Sequence, residues 1–214
     1  MLLLGLTGSK RAGKDTVAEF LHHNYGFSHY AVAGPLKECV CGAFQLTASQ
    51  VHGDAKEEID PRWGVSPRKL LQIIGTEFGR DLLPQVIPEL NLNGESLWVR
   101  HLRFFLKRAQ ATPGVRVVVS DVRFEDEARV IREFGGQVVR IERPALHTDV
   151  DADDDAKHDP HSSEAGLAHV DHVLCNDGTV HDLHTKVKVW WAKQRRASIK
   201  TRQPTPFVRP ALSS

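Results

Sequence analysis

The chain of 214 residues is 41% hydrophobic and 26% charged, a composition that fits one well-buried globular domain. Its formal net charge of +1 argues against bulk binding of nucleic acid, and no run approaches the ~20 apolar residues that a membrane-spanning helix needs. Three cysteines without zinc-ribbon spacing are typical of reduced thiols, so we expect a cytoplasmic protein.

The N-terminal stretch from Leu2 to Leu21 has the pattern of a strand, a glycine loop and a helix. Its apolar start predicts a buried strand, and the apolar periodicity at its end predicts a helix that begins near Lys14. Between them, Gly8 and Gly13 allow backbone N–H groups to point at phosphate oxygens. The helix dipole and the Lys14 ammonium add positive charge. This order of elements predicts a phosphate-binding loop.

The residue after the loop lysine departs from the usual phosphate-loop pattern, in which a Ser or Thr hydroxyl binds Mg²⁺. Here it is Asp15, which is a better ligand for a hard cation, and Thr16 follows with a hydroxyl. We expect Asp15 to act on Mg²⁺, directly or through water, while Thr16 contacts the inner phosphates of a nucleotide. The structural alternative is that Asp15 only caps the helix.

Two helix starts in the middle of the chain carry residues that could bind a phosphorylated molecule. Gly34 and Pro35 begin one helix, whose Lys37 either reaches a phosphate across the cleft or is simply solvated. Ser66 and the proline after it begin the other helix. Its residues at intervals of four are Arg68, Gln72 and Thr76, and those predicted on the opposite face are Leu70, Ile73 and Ile74. The first face either binds phosphate and a base edge or is a solvated face.

A run of valines at residues 115–119 predicts a second buried strand, which ends in the sequence SDVR. A phosphate-loop protein places a second Mg²⁺-organising carboxylate at such a point, so Asp121 is a candidate. Arg123 can point into the same crevice at the carboxyl end of the sheet. A purely structural turn is the alternative. Near the end of a further predicted strand at 137–141, Arg140 and Arg143 are candidates for phosphate contacts, with one of them only solvated.

The polar segment 144–165 and the basic C-terminal end are the least regular parts of the chain. The aspartate-rich segment predicts a mobile lid over the cleft. Three His-x-x-His pairs, at 158 and 161, 169 and 172, and 181 and 184, leave a structural metal as an alternative. A last helix is predicted over 180–195, and residues 196–214 are predicted to form a flexible tail, with nucleic-acid binding as its alternative.

Several stretches, in order, resemble the phage-type deoxynucleoside monophosphate kinases, which belong to the P-loop kinases. They are GSKRAGKDTVAEFL, AGPLK, RKLLQIIGTEFGR, SDVRFEDEA followed by GGQVVRIERP, HSSE at 161–164, and CNDGT. The resemblance implies a three-layer α/β/α P-loop domain over residues 1–195 with a central, mainly parallel sheet. It also implies a helical monophosphate-binding part at about 35–110, a lid at about 144–165, and a homodimer.

The resemblance further implies roles for individual residues. The ATP phosphates would be held by Ala12, Gly13, Lys14, Asp15 and Thr16, with Asn176 and Gly178 near the adenine. Lys10 and Arg11 would reach the transferred and acceptor phosphates. The monophosphate pocket would contain Lys37, Arg68, Gln72 and Thr76, with Asp121 and Arg123 at its floor, and Arg143 would join from the lid.

The reaction implied by the resemblance is ATP + dNMP to ADP + dNDP, with Mg²⁺ and without nucleic acid. The acceptor phosphate has a second pKa of about 6, so its attacking oxygen is mostly ionised at neutral pH and needs no general base. Catalysis would come from alignment and from the charges of Lys10, Arg11, Lys14, Arg123 and Arg143. The alternatives are a kinase of another small phosphorylated acceptor, such as dephospho-coenzyme A, a nucleic-acid-stimulated P-loop ATPase, and a non-catalytic nucleotide switch.

Overall fold

The computed structural model describes residues 1–144 and 167–200, and only the backbone of 195–200. Most of the predicted lid, the pair His158 and His161, and the tail beyond residue 200 lie outside these ranges. The helix that begins at Val180 extends to Lys200, so the predicted end of this helix at 195 was wrong. Its physical reason is that no proline or glycine interrupts the sequence before Pro204.

A central parallel sheet of five strands organises the described residues. The strands are β1 (Leu2–Thr7), β2 (Ser28–Ala31), β3 (Arg116–Ser120), β4 (Gln137–Glu142) and β5 (His172–Cys175). Their order across the sheet is β2-β3-β1-β4-β5, and every neighbouring pair is parallel. The predicted α/β class with a parallel sheet is confirmed.

The helices surround this sheet and form a separate helical part. They are α1 (Lys14–Tyr25), α2 (Gly34–Phe44), α3 (Ala48–His52), α4 (Pro67–Gln72), α5 (Leu83–Val86), α6 (Leu97–Gln110), α7 (Glu125–Glu133) and α8 (Val180–Lys200). Short 3₁₀ turns cover Asp54–Glu57 and Pro88–Leu90, and a π-helix covers Ile73–Leu82. Part of the predicted 35–110 segment is therefore one continuous rod from residue 67 to residue 86.

Each face of the sheet packs against its own layer of helices, because successive strand residues point to opposite sides. Leu4 and Leu6 of β1 are buried with apolar residues of α1 and α8. Leu3, from the same strand, is buried on the other side with residues of α6 and α7. This arrangement gives the three-layer α/β/α architecture that the sequence predicts.

The helical part between β2 and β3 has a small core of its own. Val40, Val51 and Leu70 are buried there, which joins α2, α3 and α4. Ser66 accepts a hydrogen bond from the Lys69 amide, as its predicted capping role requires. Ile73, predicted on the buried face, is 36% exposed.

The π-helix explains why Ile73 is exposed, whereas Leu70 and Ile74 pack in the small core as predicted. Beyond Gln72 the backbone bonds from residue i to i+5, which adds residues to each turn and rotates later side chains away from their α-helical positions. Arg68 and Gln72 remain in α-helical geometry, whereas Thr76 and Ile73 lie in the widened segment. Long π-helical stretches are rare and often occur at functional sites.

The fold brings three predicted site segments to one edge of the sheet. The loop after β1, the turn after β3 and the residues after β4 all follow the carboxyl ends of strands that lie side by side. In open α/β sheets, ligands bind at this edge, where the strand order reverses.

In the described part of the chain, no helix has the length and apolar character needed to cross a membrane.

Candidate functional site

The loop between β1 and α1 folds around a concavity because several of its residues take left-handed backbone conformations. Gly8 has a φ of 142°, Arg11 a φ of 61° and Gly13 a φ of 102°. A Cβ on Gly8 would lie 2.3 Å from the carbonyl oxygen of Ile141 in β4, so only glycine fits there. Gly13 is the N-cap of α1 and no side chain caps this helix, which excludes the capping role considered for Asp15.

Lys14 reaches back across this loop. Its Nζ donates hydrogen bonds to the carbonyl oxygens of Gly8, at 2.8 Å, and Ser9, at 2.7 Å. Burial lowers the pKa of Lys14, and the positive charge of Arg123 lowers it further, while nearby carboxylates oppose the shift. The amide of Val122 donates a 3.0 Å hydrogen bond to the carbonyl of Leu6 in β1, so the next residue, Arg123, follows a residue held beside the loop that carries Lys14. A phosphate group between Lys14 and Arg123 would be favoured by both cations.

A cavity of about 420 Å³ lies over the loop and the start of α1. Its size is in the range of small-molecule sites. It is lined by Arg11, Ala12, Gly13, Lys14, Asp15, Thr16, Arg143, Asn176, Gly178, Thr179, Val180 and Leu183. All the residues predicted to bind ATP, together with Arg11 and Arg143, thus share one cavity. Arg140 instead donates to the carbonyl of Leu167, so Arg143 is the arginine of the two that faces the site.

Asp15 and Thr16 supply oxygen donors to this cavity, which suits Mg²⁺ rather than a softer metal. Mg²⁺ is commonly held by one or two protein oxygens together with substrate phosphates. Among the described residues, no three His, Cys, Asp or Glu side chains come together as a metal site. Two of the paired histidines make other contacts, since His172 bonds to Gln194 and His184 stacks on Phe20. The donor set therefore fits a Mg²⁺ ion shared with a nucleotide.

Asn176, predicted near the adenine, supports the phosphate loop directly. Its buried side-chain amide donates a 2.9 Å hydrogen bond to the carbonyl of Ala12. The same amide leaves no room for a side chain at Gly13, whose Cβ would lie 2.8 Å from it. Asn176 thus lines the cavity while it fixes the loop from the β5 side. Gly178 and Thr179 form the rim, where Asp182 accepts hydrogen bonds from Thr179.

Asp121 holds the start of α2 rather than presenting an unbonded carboxylate. Its two oxygens accept hydrogen bonds from the amides of Val32, at 2.8 Å, and Ala33, at 3.2 Å. Burial raises the pKa of Asp121, although both amides and Arg123 favour its ionised form. Its φ of 58° turns the chain sharply after β3. The purely structural alternative for this residue thus has direct support, beside the predicted place at the pocket floor.

The helical part contributes a second group of cations. Lys37 Nζ lies 3.3 Å from His52 Nδ1 and lowers the pKa of that histidine. Arg68 Nη1 lies 3.9 Å from a carboxylate oxygen of Glu57. Burial lowers the pKa of Lys56, and the charges of Lys10, Arg68 and Lys37 lower it in turn. The charges of Lys10, Arg68 and Lys37 therefore all act on Lys56, and the Glu57 carboxylate opposes them. Three cations against one carboxylate favour a bound anion near Lys56.

A family model described as deoxynucleotide monophosphate kinase matches this chain over residues 2–60 and 47–187. The chain belongs to this family. A candidate deoxynucleotide monophosphate kinase of Acanthamoeba polyphaga mimivirus is 36% identical, over 87% of this chain and 94% of the relative. The deoxynucleotide monophosphate kinase of Enterobacteria phage T4 is 24% identical, over 88% of this chain and 98% of its own. The resemblance found in the sequence is confirmed.

Among solved structures, the dephospho-CoA kinase of Campylobacter jejuni has 14% identity to this chain and a TM-score of 0.46. The similarity covers 92% of this chain and 100% of that one. A shikimate kinase of Aquifex aeolicus has 14% identity and a TM-score of 0.42, over 92% and 98% of the two chains.

Three residues around this deoxynucleotide monophosphate kinase site escaped the sequence analysis. Lys56 lies in a segment whose acidic composition predicts only a solvated loop. Arg80 continues the interval of four after Thr76, which was the one signal that could have found it. The sequence predicts Glu127 only as an exposed acidic residue in the first turn of α7, whereas in the structure it is 3% exposed. Burial raises the pKa of Glu127 to about 7, against the opposing effect of backbone amides and Arg80.

Proposed function

We propose that the protein transfers the terminal phosphoryl group of ATP to a deoxynucleoside monophosphate, which yields ADP and a deoxynucleoside diphosphate. The observation that carries this proposal is the cavity over the phosphate loop, which Lys14, Asp15 and Thr16 line. The candidates for contact with the acceptor phosphate form what we call the cationic group: Lys10, Lys37, Lys56 and Arg68. Donor phosphates would occupy the loop, and an acceptor phosphate would occupy the cationic group. Membership of the deoxynucleotide monophosphate kinase family supports the same reaction.

The proposed mechanism is direct in-line transfer. The acceptor oxygen is mostly ionised at neutral pH, because its pKa is about 6, so no side chain has to remove a proton. Lys14 would hold the outer donor phosphates, while Arg11, Arg123 and Arg143 would stabilise the charge that develops during transfer. Asp15 would hold Mg²⁺, directly or through water, and Thr16 would contact the inner phosphates of ATP. When bound, this ion would neutralise phosphate charge.

The contacts within the loop suggest that it is preorganised for this role. Lys14 already lies across the loop through two hydrogen bonds, and Asn176 fixes the loop from the other side. A cation held in place before substrate binds needs little reorganisation at the moment of reaction. Water exclusion would matter as well, since hydrolysis of ATP is the competing reaction.

The main alternative is a kinase of another phosphorylated acceptor such as dephospho-coenzyme A. Both would use the same loop and the same cationic group, so the two functions differ only in what binds beside the phosphate. The family match and the descriptions of both relatives favour the nucleotide acceptor. A nucleic-acid-stimulated ATPase would instead need a basic surface, and the net charge of +1 offers little support for one.

A coupled assay that measures ADP formation tests this function. The four common deoxynucleoside monophosphates, the matching ribonucleotides and dephospho-coenzyme A would each be offered with ATP and Mg²⁺, with and without DNA. We expect turnover with at least one deoxynucleotide and no response to DNA. Absence of turnover with every deoxynucleotide, or turnover that requires DNA, would sink the proposal.

Arg68→Ala is expected to weaken acceptor binding. Loss of a charge-assisted hydrogen bond to a phosphate costs about 1.5–3 kcal/mol, so the KM for the deoxynucleotide should rise roughly 10- to 150-fold. The KM for ATP should stay within about twofold, because Arg68 is not among the residues that line the ATP cavity. Steady-state kinetics with each substrate varied in turn measure both constants.

Lys69→Ala is the matched control for this variant. Lys69 is the next residue on α4, carries the same charge and has an exposed side chain. Its removal tests whether lost charge anywhere on this helix is enough to weaken acceptor binding. An equal rise in KM for both variants, or an unchanged KM for Arg68→Ala, would remove Arg68 from the acceptor pocket.

We also propose that the protein works as a homodimer in the cytoplasm. Phe78, Leu82 and Val86 lie along one rod and are 43%, 48% and 61% exposed, which suits contact with another protein surface. The three cysteines are unpaired in the structure, which suits a reducing compartment.

A further inference from the structure

Arg80 links two helical segments: the rod of residues 67–86, which carries the proposed acceptor residues, and α7. It lies in the π-helix, and its Nη1 donates a 2.6 Å hydrogen bond to Asp126 Oδ2. Its Nη2 donates a second hydrogen bond, of 3.2 Å, to Glu127 Oε1. The guanidinium carbon also lies 3.6 Å from the centre of the Phe124 ring. One planar cation thus contacts three side chains at the start of α7, those of Phe124, Asp126 and Glu127.

Glu127 uses its other carboxylate oxygen to hold the main chain before α7. Oε2 accepts hydrogen bonds from the amide of Arg123, at 2.7 Å, and from that of Phe124, at 3.1 Å. The Glu127 side chain is 4% exposed, so water does not compete for these bonds. A buried carboxylate requires such partners, and here the amides and Arg80 together supply them.

The π-helix is held against α6, which fixes the place from which Arg80 extends. The Trp98 Nε1 of α6 donates a 2.7 Å hydrogen bond to the carbonyl of Gly75. Gly79 packs against the same indole so closely that a Cβ would lie 2.7 Å from its ring. The residue directly before Arg80 is therefore seated on α6, and the guanidinium is presented to α7 from a fixed backbone.

We propose that Arg80 and Glu127 are positioning residues that fix the main chain at Arg123 and couple it to the acceptor-binding rod. The amide of Val122, directly before Arg123, donates a 3.0 Å hydrogen bond to the carbonyl of Leu6 in β1, which places Arg123 beside the phosphate loop. Arg123 is exposed to solvent, and its positive charge lowers the pKa of Lys14. Its placement therefore depends on its backbone, which Glu127 holds. The inference rests on the proposed function only in that Arg123 is taken to stabilise the transferred phosphate. Neither Arg80 nor Glu127 touches substrate in this scheme.

A double-mutant cycle between Arg80→Met and Arg123→Ala tests this coupling. Arg123→Ala alone should lower kcat about 100-fold or more, as loss of one transition-state donor does. Arg80→Met alone should lower kcat about 10- to 100-fold, because small misplacements of a catalytic group have effects of that size. In the Arg123→Ala background, Arg80→Met should lower kcat less than about threefold, since the group that it positions is already absent. The KM for ATP should stay within about twofold in every variant.

Arg103→Met is the matched control. Arg103 also joins α7 to another part of the fold, through a 2.8 Å ion pair with Glu133 and a hydrogen-bonded ion pair with Glu95. Its side chain is 21% exposed, against 16% for Arg80, so a comparable ion pair is lost. Arg103→Met should keep kcat within about twofold, because Glu133 lies at the other end of α7 from Arg123.

Arg80→Lys tests the positioning role of Arg80 if Arg80→Met does not fold. It keeps the positive charge but cannot bond to two carboxylates in the planar fork geometry, so kcat should fall by an intermediate factor. Equal factors for Arg80 variants with and without Arg123 would overturn the positioning role and leave the proposed function intact. A fall in kcat for Arg103→Met as large as that for Arg80→Met would do the same. Near-normal kcat for Arg123→Ala would instead remove the catalytic role of Arg123 and, with it, this inference.

Discussion

Lys14→Ala is expected to lower kcat about 1,000-fold, as loss of a central charge-stabilising donor implies. The ammonium lies across the loop through hydrogen bonds to Gly8 and Ser9, and its pKa is lowered by burial and by the positive charge of Arg123. No other cation of the described chain bonds within the loop in this way, so none replaces it. The rate of ADP formation at saturating ATP and deoxynucleotide measures the loss.

Lys186→Ala is the matched control for Lys14→Ala, because it tests whether removal of another lysine that bonds to the backbone also lowers kcat. Lys186 also donates to a backbone carbonyl, that of Cys175, at 3.0 Å, and it forms an ion pair with Asp177. It does not line the cavity over the phosphate loop. Lys186→Ala should therefore keep kcat within about twofold. Turnover by Lys14→Ala at a rate near that of the unmodified protein would refute the role of the loop lysine.

The phosphate loop and the sheet could be predicted from the sequence because their signals are local. The glycines that take left-handed conformations, the start of α1 at Lys14 and the valine strand before Asp121 each follow from a few neighbouring residues. The chain order of these segments then fixes which strand ends meet, since a parallel sheet brings its carboxyl ends to one edge. The shared cavity of the predicted ATP residues follows from that topology.

The features that escaped prediction depend on contacts between segments that are distant in sequence. The pattern of apolar residues over the π-helix is the one expected for an α-helix, so the sequence does not distinguish the two. The change in backbone hydrogen bonding depends on packing, such as that of Gly79 on Trp98. Lys56 joins the cations only because its 3₁₀ turn packs beside α4. Asp121 was correctly placed after β3, but its partners in the turn after β2 could not be read from composition.

Gly8→Ala is expected to damage nucleotide binding severely. Two penalties combine, because the φ of 142° is unfavourable for a residue with a Cβ and the new Cβ would lie 2.3 Å from the carbonyl oxygen of Ile141. That oxygen belongs to the end of β4, which pairs with β1 and cannot move freely. The loop must therefore shift instead, and its amides would then miss the phosphates. We expect the affinity for ATP to fall about 100-fold, as measured by titration calorimetry.

Gly114→Ala separates these two penalties. Gly114 has a φ of 74°, yet a Cβ at this position would meet nothing within 4 Å. Its substitution should lower the free energy of unfolding by about 1–3 kcal/mol through backbone strain alone and leave ATP affinity unchanged. If Gly8→Ala only lowered stability by a similar amount and bound ATP normally, the close approach of the loop to β4 would not be what shapes the phosphate site. A selective loss of ATP binding in Gly8→Ala would show that the phosphate loop needs its contact with β4. That contact exists because β4 lies next to β1 in the sheet, although the two strands are far apart in the sequence.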